Sequence, residues 1–322
     1  MKRILYFSTI VIVSALLGGC AVEERPITAE MVRQLALLPG DAQVIGYMNF
    51  DRIKDSEFFQ MFMDSSDIDW FRDQEYRDFI EGTGLDLQRD IHELYVAVHS
   101  ADDTTNREGL LIVKGKFDPQ KIMDYVHTQA QSTEYESSSH RDKTIYTLDN
   151  HTKAFCFHDQ ETFIAGATDA VKGWLDRSTE KERTINNQII DRIEHLRYKR
   201  SAWFTVNTDV LLRNLNRERI KNMEGLEALQ YIAVSMDLDK AFKLHGQSQF
   251  ISVEKAELFR DALKGVIAAG KLSLSEDRWL VDVLNAIKVD QKRDRVDIDW
   301  QLSKKEIEKL RQKKDSIPVR II

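Results

Sequence analysis

Two cysteines and four prolines are few for 322 residues, and each shortage rules something out. Cys20 and Cys156 cannot form a disulfide framework, so an apolar core must hold the fold together. With so little proline and only 14 glycines there is neither a Pro-rich stalk nor a Gly-rich flexible region. The chain also has no Gly-x-Ser-x-Gly elbow, Walker-type phosphate loop, His-Glu-x-x-His zinc helix or Gly-x-Gly-x-x-Gly fingerprint. After the first 19 residues no run approaches the roughly 20 apolar residues of a spanning helix. Extended basic stretches are missing too, and the formal charge is −7. That balance argues against nucleic acid or an anionic membrane surface as the main partner.

What is there begins at the N-terminus. Basic Met1-Lys2-Arg3 leads into the apolar run Ile4 to Leu17, long enough for a signal peptide and too short to span a bilayer. The run closes as Leu17-Gly18-Gly19-Cys20, which resembles the processing site of bacterial lipoproteins. The resemblance implies recognition of Leu17, Gly18 and Gly19 by a signal peptidase, a diacylglycerol on the Cys20 thiol, and cleavage before Cys20. Each buried acyl CH₂ contributes about 0.8 kcal/mol, so two or three chains would anchor an aqueous domain. Ala21, in place of an aspartate, resembles the outer-membrane-sorted class. The implied location is the periplasmic face of the outer membrane, or the outer face of the plasma membrane in a single-membrane cell. Acylation of Cys20 would leave Cys156 as the only thiol.

At 42% hydrophobic and 31% charged residues, the remainder is that of a folded protein. Met31, Leu35 and Leu38 fall at helical spacing, and Pro39-Gly40 ends that helix. Val44-Ile45-Gly46-Tyr47-Met48-Asn49-Phe50-Asp51 then lines up without a gap with Ala202-Trp203-Phe204-Thr205-Val206-Asn207-Thr208-Asp209. Second strands follow at Leu94 to Ser100 and Tyr231 to Asp237, and third strands at Gly109 to Lys116 and Lys243 to Gln249. Asp118-Pro119 and Ser252 are the helix starts after them. Each half closes with a hairpin and a helix: Ala154 to Phe157 with Thr162 to Ala165, and Ile287 to Val289 with Arg295 to Leu302. Thr168 is placed to cap the first closing helix, and Ser303 with Glu306 forms a capping box for the second. The alternation of Val296, Ile298, Trp300 and Leu302 against Arg295, Asp297, Asp299 and Gln301 predicts a strand with one wet face.

These correspondences predict an α+β fold of two similar units of antiparallel sheet with helices packed on one face. The divisions are a signal peptide over 1–19, a lipidated cysteine, tether and amphipathic helix over 20–37, and a first unit over 38–177. A connector over 178–200, with Ile189, Ile190 and Ile193 on one side of its helix, leads to a second unit over 201–314 and a tail over 315–322. Leu38-Pro39-Gly40-Asp41-Ala42 with the following strand and Asp51 turn resembles uncharacterised extracytoplasmic envelope proteins with duplicated α+β domains. That resemblance implies no activity and carries no catalytic residues.

Candidate sites are sparse. His151, Cys156 and His158 form the sharpest metal-like group, but a fourth ligand is missing and strand packing accounts for them, so no metal and no cofactor is expected. Asp64-Ser65-Ser66-Asp67-Ile68-Asp69 lacks the glycine and distal glutamate of a calcium loop. Gly82-Thr83-Gly84 reads as a helix end, and Asn49/Asp51 with Asn207/Asp209 as turn and cap chemistry. Lys304, Lys305, Lys309, Arg311, Lys313 and Lys314 read as a helix with charges complementing its dipole. Phe58, Phe59, Phe62 and Trp70 belong to an aromatic and Met-rich cluster, and are the candidate partner-binding residues. The functional expectation is a membrane-anchored envelope lipoprotein with no catalytic residues, acting as a binding, structural or accessory protein, with another envelope protein as its possible partner. The alternatives are an envelope hydrolase using Asp, Glu and His gathered between the units, or a carrier of an apolar ligand, which needs a continuous apolar groove.

Overall fold

The computed structural model describes residues 27–63, 74–100, 107–129, 135–180, 187–208 and 226–312. Cys20, Trp70, the 64–69 acidic segment and Asp209 lie outside them. Twelve described strands make one antiparallel sheet. In chain order they are β1 Val44–Asn49, β2 Ile91–Ser100, β3 Arg107–Gly115, β4 Glu136–His140, β5 Lys143–Leu148 and β6 Lys153–Phe157; then β7 Thr162–Ala167, β8 Ala202–Asn207, β9 Leu229–Asp237, β10 Phe242–Phe250, β11 Lys288–Lys292 and β12 Arg295–Leu302. Across the sheet the order is β11-β12-β10-β9-β8-β1-β2-β3-β7-β6-β5-β4.

Read outward from the centre, β1-β2-β3-β7-β6 and β8-β9-β10-β12-β11 follow the same course. The gap-free match of the two halves sets Gly46 against Phe204, and these residues also face each other in the β1–β8 ladder. An approximate two-fold axis therefore passes through that pair, and the halves share one sheet instead of forming two. The ladders correct the match of the second strands by one residue. Met48 pairs with Leu94 and Val206 with Ile232, so the counterpart of Leu94 is Ile232 and not Tyr231. A slip of one residue exchanges the faces of the sheet.

Alternation assigns each strand a front and a back. The front carries Ile45, Tyr47, Tyr95, Ile112 and Ile164, and the back carries Leu94, Val113, Phe157, Phe163, Val296 and Ile298. The helices are α1 Ala29–Leu35, α2 Phe50–Lys54, α3 Glu57–Met63, α4 Gln74–Thr83, α5 Leu87–Asp90 and α6 Pro119–Gln129; then α7 Thr168–Thr179, α8 Asn187–Glu194, α9 Val253–Ser273, α10 Arg278–Asn285 and α11 Lys304–Gln312. Sequence patterning places helices on one face, and α4, α5, α6 and α9 do pack on the back. The front of the first half is covered as well. Leu35 of α1, Val171, Trp174 and Leu175 of α7, and Ile189 and Ile193 of α8 join Ile45, Tyr95 and Ile112 in its core. The connector helix is thus core material.

Local chemistry sets the helix ends. Backbone N–H groups donate to the side chains of Thr28, Asn49, Asp118 and Ser252 at the starts of α1, α2, α6 and α9. Ser303 and Glu306 satisfy each other's backbone donors at α11, and Gly84 at φ +71° ends α4. Thr168 departs from its expected role: it is the first residue of α7, and its hydroxyl donates to the His151 carbonyl at 2.6 Å.

Candidate functional site

The two halves treat the back of the sheet differently. In the second half, α9 lies directly on β10, β11 and β12, and Phe250, Phe259, Leu263 and Ile267 fill the space with Val289 and Val296. In the first half, the corresponding α6 packs on α4. Gly82 makes that contact possible, since a Cβ there would stand 2.2 Å from the Tyr125 ring. Phe79 meets the same ring edge-on, with centroids 5.7 Å apart. The helix pair stands off the strands and leaves a cavity of about 400 Å³.

Leu94, Val113, Phe157 and Phe163 form its floor, and Phe50, Phe79, Leu87, Phe117 and Ile122 its walls. All of its described lining residues are apolar. Such a volume falls within the range of small-molecule sites, and dry apolar space of this kind takes apolar guests. Phe163 also borders a second space, an open groove of about 880 Å³ over the back of β3, β6 and β7. Its floor includes Leu111, Phe155 and Ala165, and its rim Glu108, His151, Lys153 and Asp169. An aromatic track joins the two, with Phe157–Phe163 centroids 5.1 Å apart, Phe155–Phe163 6.0 Å, and Tyr146 stacked on Phe155 at 5.0 Å. Apolar space beside a groove with a polar rim suits one molecule with an apolar chain and a polar end.

The expected site residues are not gathered there. Phe58 is buried in the core, which corrects its assignment to a partner-facing surface; Phe59 is half-buried. Phe62 belongs to α3, its side chain lying outside the described residues. Cys156 is buried on the front of β6, and desolvation pushes its thiol up to about 11. His158 packs edge-on against Trp174 at 5.1 Å, and burial lowers its pKa. His151 instead hydrogen-bonds to Thr147 at 3.1 Å, beyond the strand. Among the described residues, no three His, Cys, Asp or Glu side chains are placed to hold a metal ion.

The predicted wet face of β12 is covered in part: Gln301 is exposed, Arg295 and Asp299 are half-buried, and Asp297 is buried. Asp297 is 3% exposed, and neighbouring His245 on β10 is 2% exposed. The physical reason is mutual pairing. His245 Nδ1 lies 3.0 Å from Asp299 Oδ1, which Arg197 Nη1 approaches to 3.1 Å. Burial works against the charge on Asp299, yet its pKa is lowered because the His245 hydrogen bond and the nearby cations outweigh desolvation. Arg295 Nε stands 2.9 Å from Asp297 Oδ1 as an ion pair, and Arg295 Nη2 donates to Asp297 Oδ2 at 3.4 Å. Gln247 Nε2 donates to the Tyr231 hydroxyl at 2.9 Å. Among the described residues, no Ser, Thr or Cys hydrogen-bonds to Nε2 of His245. At the junction of the halves, the Tyr47, Tyr95 and Trp203 rings occupy the front face, and both tyrosine hydroxyls donate to Glu93 at 3.0 Å. Desolvation, reinforced by the Glu93 charge, raises both tyrosine pKa values and keeps these phenols as donors.

The fold and site define a duplicated antiparallel α+β protein with an apolar cavity in one half. Among solved structures it is similar to TP0453. Crystal form III matches at a TM-score of 0.49 and 10% identity, covering 85% of this chain and 95% of that one. Crystal form IV matches at 0.47 and 8%, covering 90% and 98%. No family model matches the chain, and no curated protein matches it in sequence. Among the described residues, no helix is long and apolar enough to cross a membrane.

Proposed function

We propose that this protein is an envelope lipoprotein, held at the membrane through Cys20, that binds an apolar chain without transforming it. The observation that carries the reading is the cavity on the back of β2, β3, β6 and β7, all of whose described lining residues are apolar. Its counterpart in the second half is filled by Phe259, Leu263 and Ile267, so the architecture does not require a void there. The chemistry of the lining selects an alkyl or acyl chain, and the shared Phe163 would let the polar end rest at the groove rim. Binding by such a site comes from removing apolar surface from water, at about 0.8 kcal/mol per methylene.

Purification of the mature protein from its own membranes, followed by solvent extraction and mass spectrometry, tests this. One non-covalent acyl-chain lipid per protein is expected; a protein that emerges empty and takes up no fluorescent fatty acid overturns the reading. The anchor has its own test. Cys20→Ser should abolish acyl labelling and membrane association, and a variant that stays membrane-bound after a salt wash would sink the lipoprotein assignment.

A further inference from the structure

Seven large hydrophobic side chains are exposed among the described residues, and five of them, Ile251, Val253, Leu258, Val266 and Leu272, lie on or beside α9. The inner side of this 21-residue helix is used, with Phe259, Leu263 and Ile267 in the core. Its outer side carries a second apolar seam at Leu258, Ala262, Gly265, Ala269 and Leu272, spaced by four, three, four and three residues. All five are exposed, Leu258 by 39% and Leu272 by 77%, with Val266 beside them at 60%. Alternating steps of four and three are those of helices that pack along their length on another helix. Solvation alone gives no reason for a second such seam on a helix already seated by its first.

We propose that this seam is the interface of a homodimer in which α9 of one protomer packs antiparallel on α9 of its partner. A two-fold interface requires a surface complementary to itself, and this one is. With the axis between Ala262 and Gly265, Leu258 meets Ala269 of the partner subunit, Ala262 meets Gly265 of the partner subunit, and Leu272 lies over the aliphatic stem of Lys255 of the partner subunit. The small residues at the centre permit helix axes near the short end of the roughly 8–10 Å range. A Cβ at Gly265 would meet nothing within 4 Å among the described residues, so there is open space beside it.

Charge selects the same direction. The first turns of α9 hold Glu254, Glu257 and Asp261 against Lys255 and Arg260, a net negative end. Lys255 is engaged by Glu227 at 3.0 Å, and Arg260 Nη1 donates to Gln291 at 2.8 Å while bridging Glu257 and Asp261. Toward the other end the helix carries only Lys264 and Lys271. Antiparallel pairing sets each acidic end beside the partner's basic end and opposes the two helix dipoles, whereas parallel pairing sets like against like.

The test uses the full mature chain carrying Cys20→Ser, so that lipid cannot drive association. Sedimentation equilibrium at micromolar concentration should give a dimer, and Ala262→Glu should halve the mass without changing the far-UV spectrum or melting temperature. Under mild oxidation, Ala262→Cys mixed with Gly265→Cys should yield mainly the crosslinked heterodimer, the native Cys156 being buried. A monomeric parent chain, a dimer that survives Ala262→Glu, or preferential 262–262 crosslinking overturns the proposal. So does a monomer that binds phosphatidylglycerol vesicles through α9, lost in Ala262→Glu, since the seam then faces a lipid surface.

Discussion

Val113→Phe offers the sharpest perturbation of the cavity. Val113 stands on the cavity floor, and four added carbon atoms can enter the void with little strain. The parent cavity of about 400 Å³ holds on the order of a dozen water-sized groups at ~30 Å³ each, and a methylene is of similar size. Displacing about four methylene-sized groups at about 0.8 kcal/mol each removes about 3 kcal/mol of binding. At 1.4 kcal/mol per decade that weakens affinity about 100-fold. Titration of the purified protein with a fluorescent long-chain fatty acid reads this directly, and the melting temperature of the unliganded variant should match or exceed that of the parent. Unchanged affinity in a folded Val113→Phe protein refutes the placement of the chain between α4, α6 and the sheet.

Three further outcomes follow from the geometry. Ile193→Ala should cost about 2–5 kcal/mol in chemical denaturation, because that connector side chain is fully buried; a cost below about 0.5 kcal/mol would make the connector a passive linker. The carboxyl of Asp299 titrates lower in the folded chain than in the unfolded one, at about 3.9. Its stabilisation is therefore complete above that value and lost as pH falls through the folded pKa, so the stability gap between parent and Asp299→Asn should narrow below about pH 4. A gap that widens on acidification contradicts the pairing with His245 and Arg197. Cys156, with its thiol pushed up to about 11 by burial, should react with a thiol reagent at pH 8 only as the chain unfolds. Labelling of the native chain at the rate of a free thiol would contradict that burial.

Much of the sheet was legible in the sequence because its signals are local. Asn49, Asp118, Ser252 and the Ser303–Glu306 pair mark helix starts by their own chemistry, and alternation in Arg295–Leu302 sets the two faces of β12. The β4–β5 hairpin was not legible: Arg141 and Asp142 make its turn at φ 49° and 58°, without the Asn-Gly or Asp-Gly that ordinarily announces such a turn. Covering of the polar face of β12 depends on Arg197 from the connector and His245 from β10, both distant in sequence. The cavity was hidden for a related reason. Phe117, Phe157 and Phe163 read individually as core residues, and only the stand-off of the α4–α6 pair, set by Gly82 against Tyr125, turns their shared surface into a lining.

A crystal structure of the mature chain soaked with a fatty acid brominated at its chain terminus tests the central claim most directly. The account predicts bromine anomalous density enclosed by Phe117, Phe157 and Phe163, with the carboxylate toward the rim of Glu108, His151 and Lys153. Density confined to the surface of α9, or an empty cavity at saturating ligand, would contradict it.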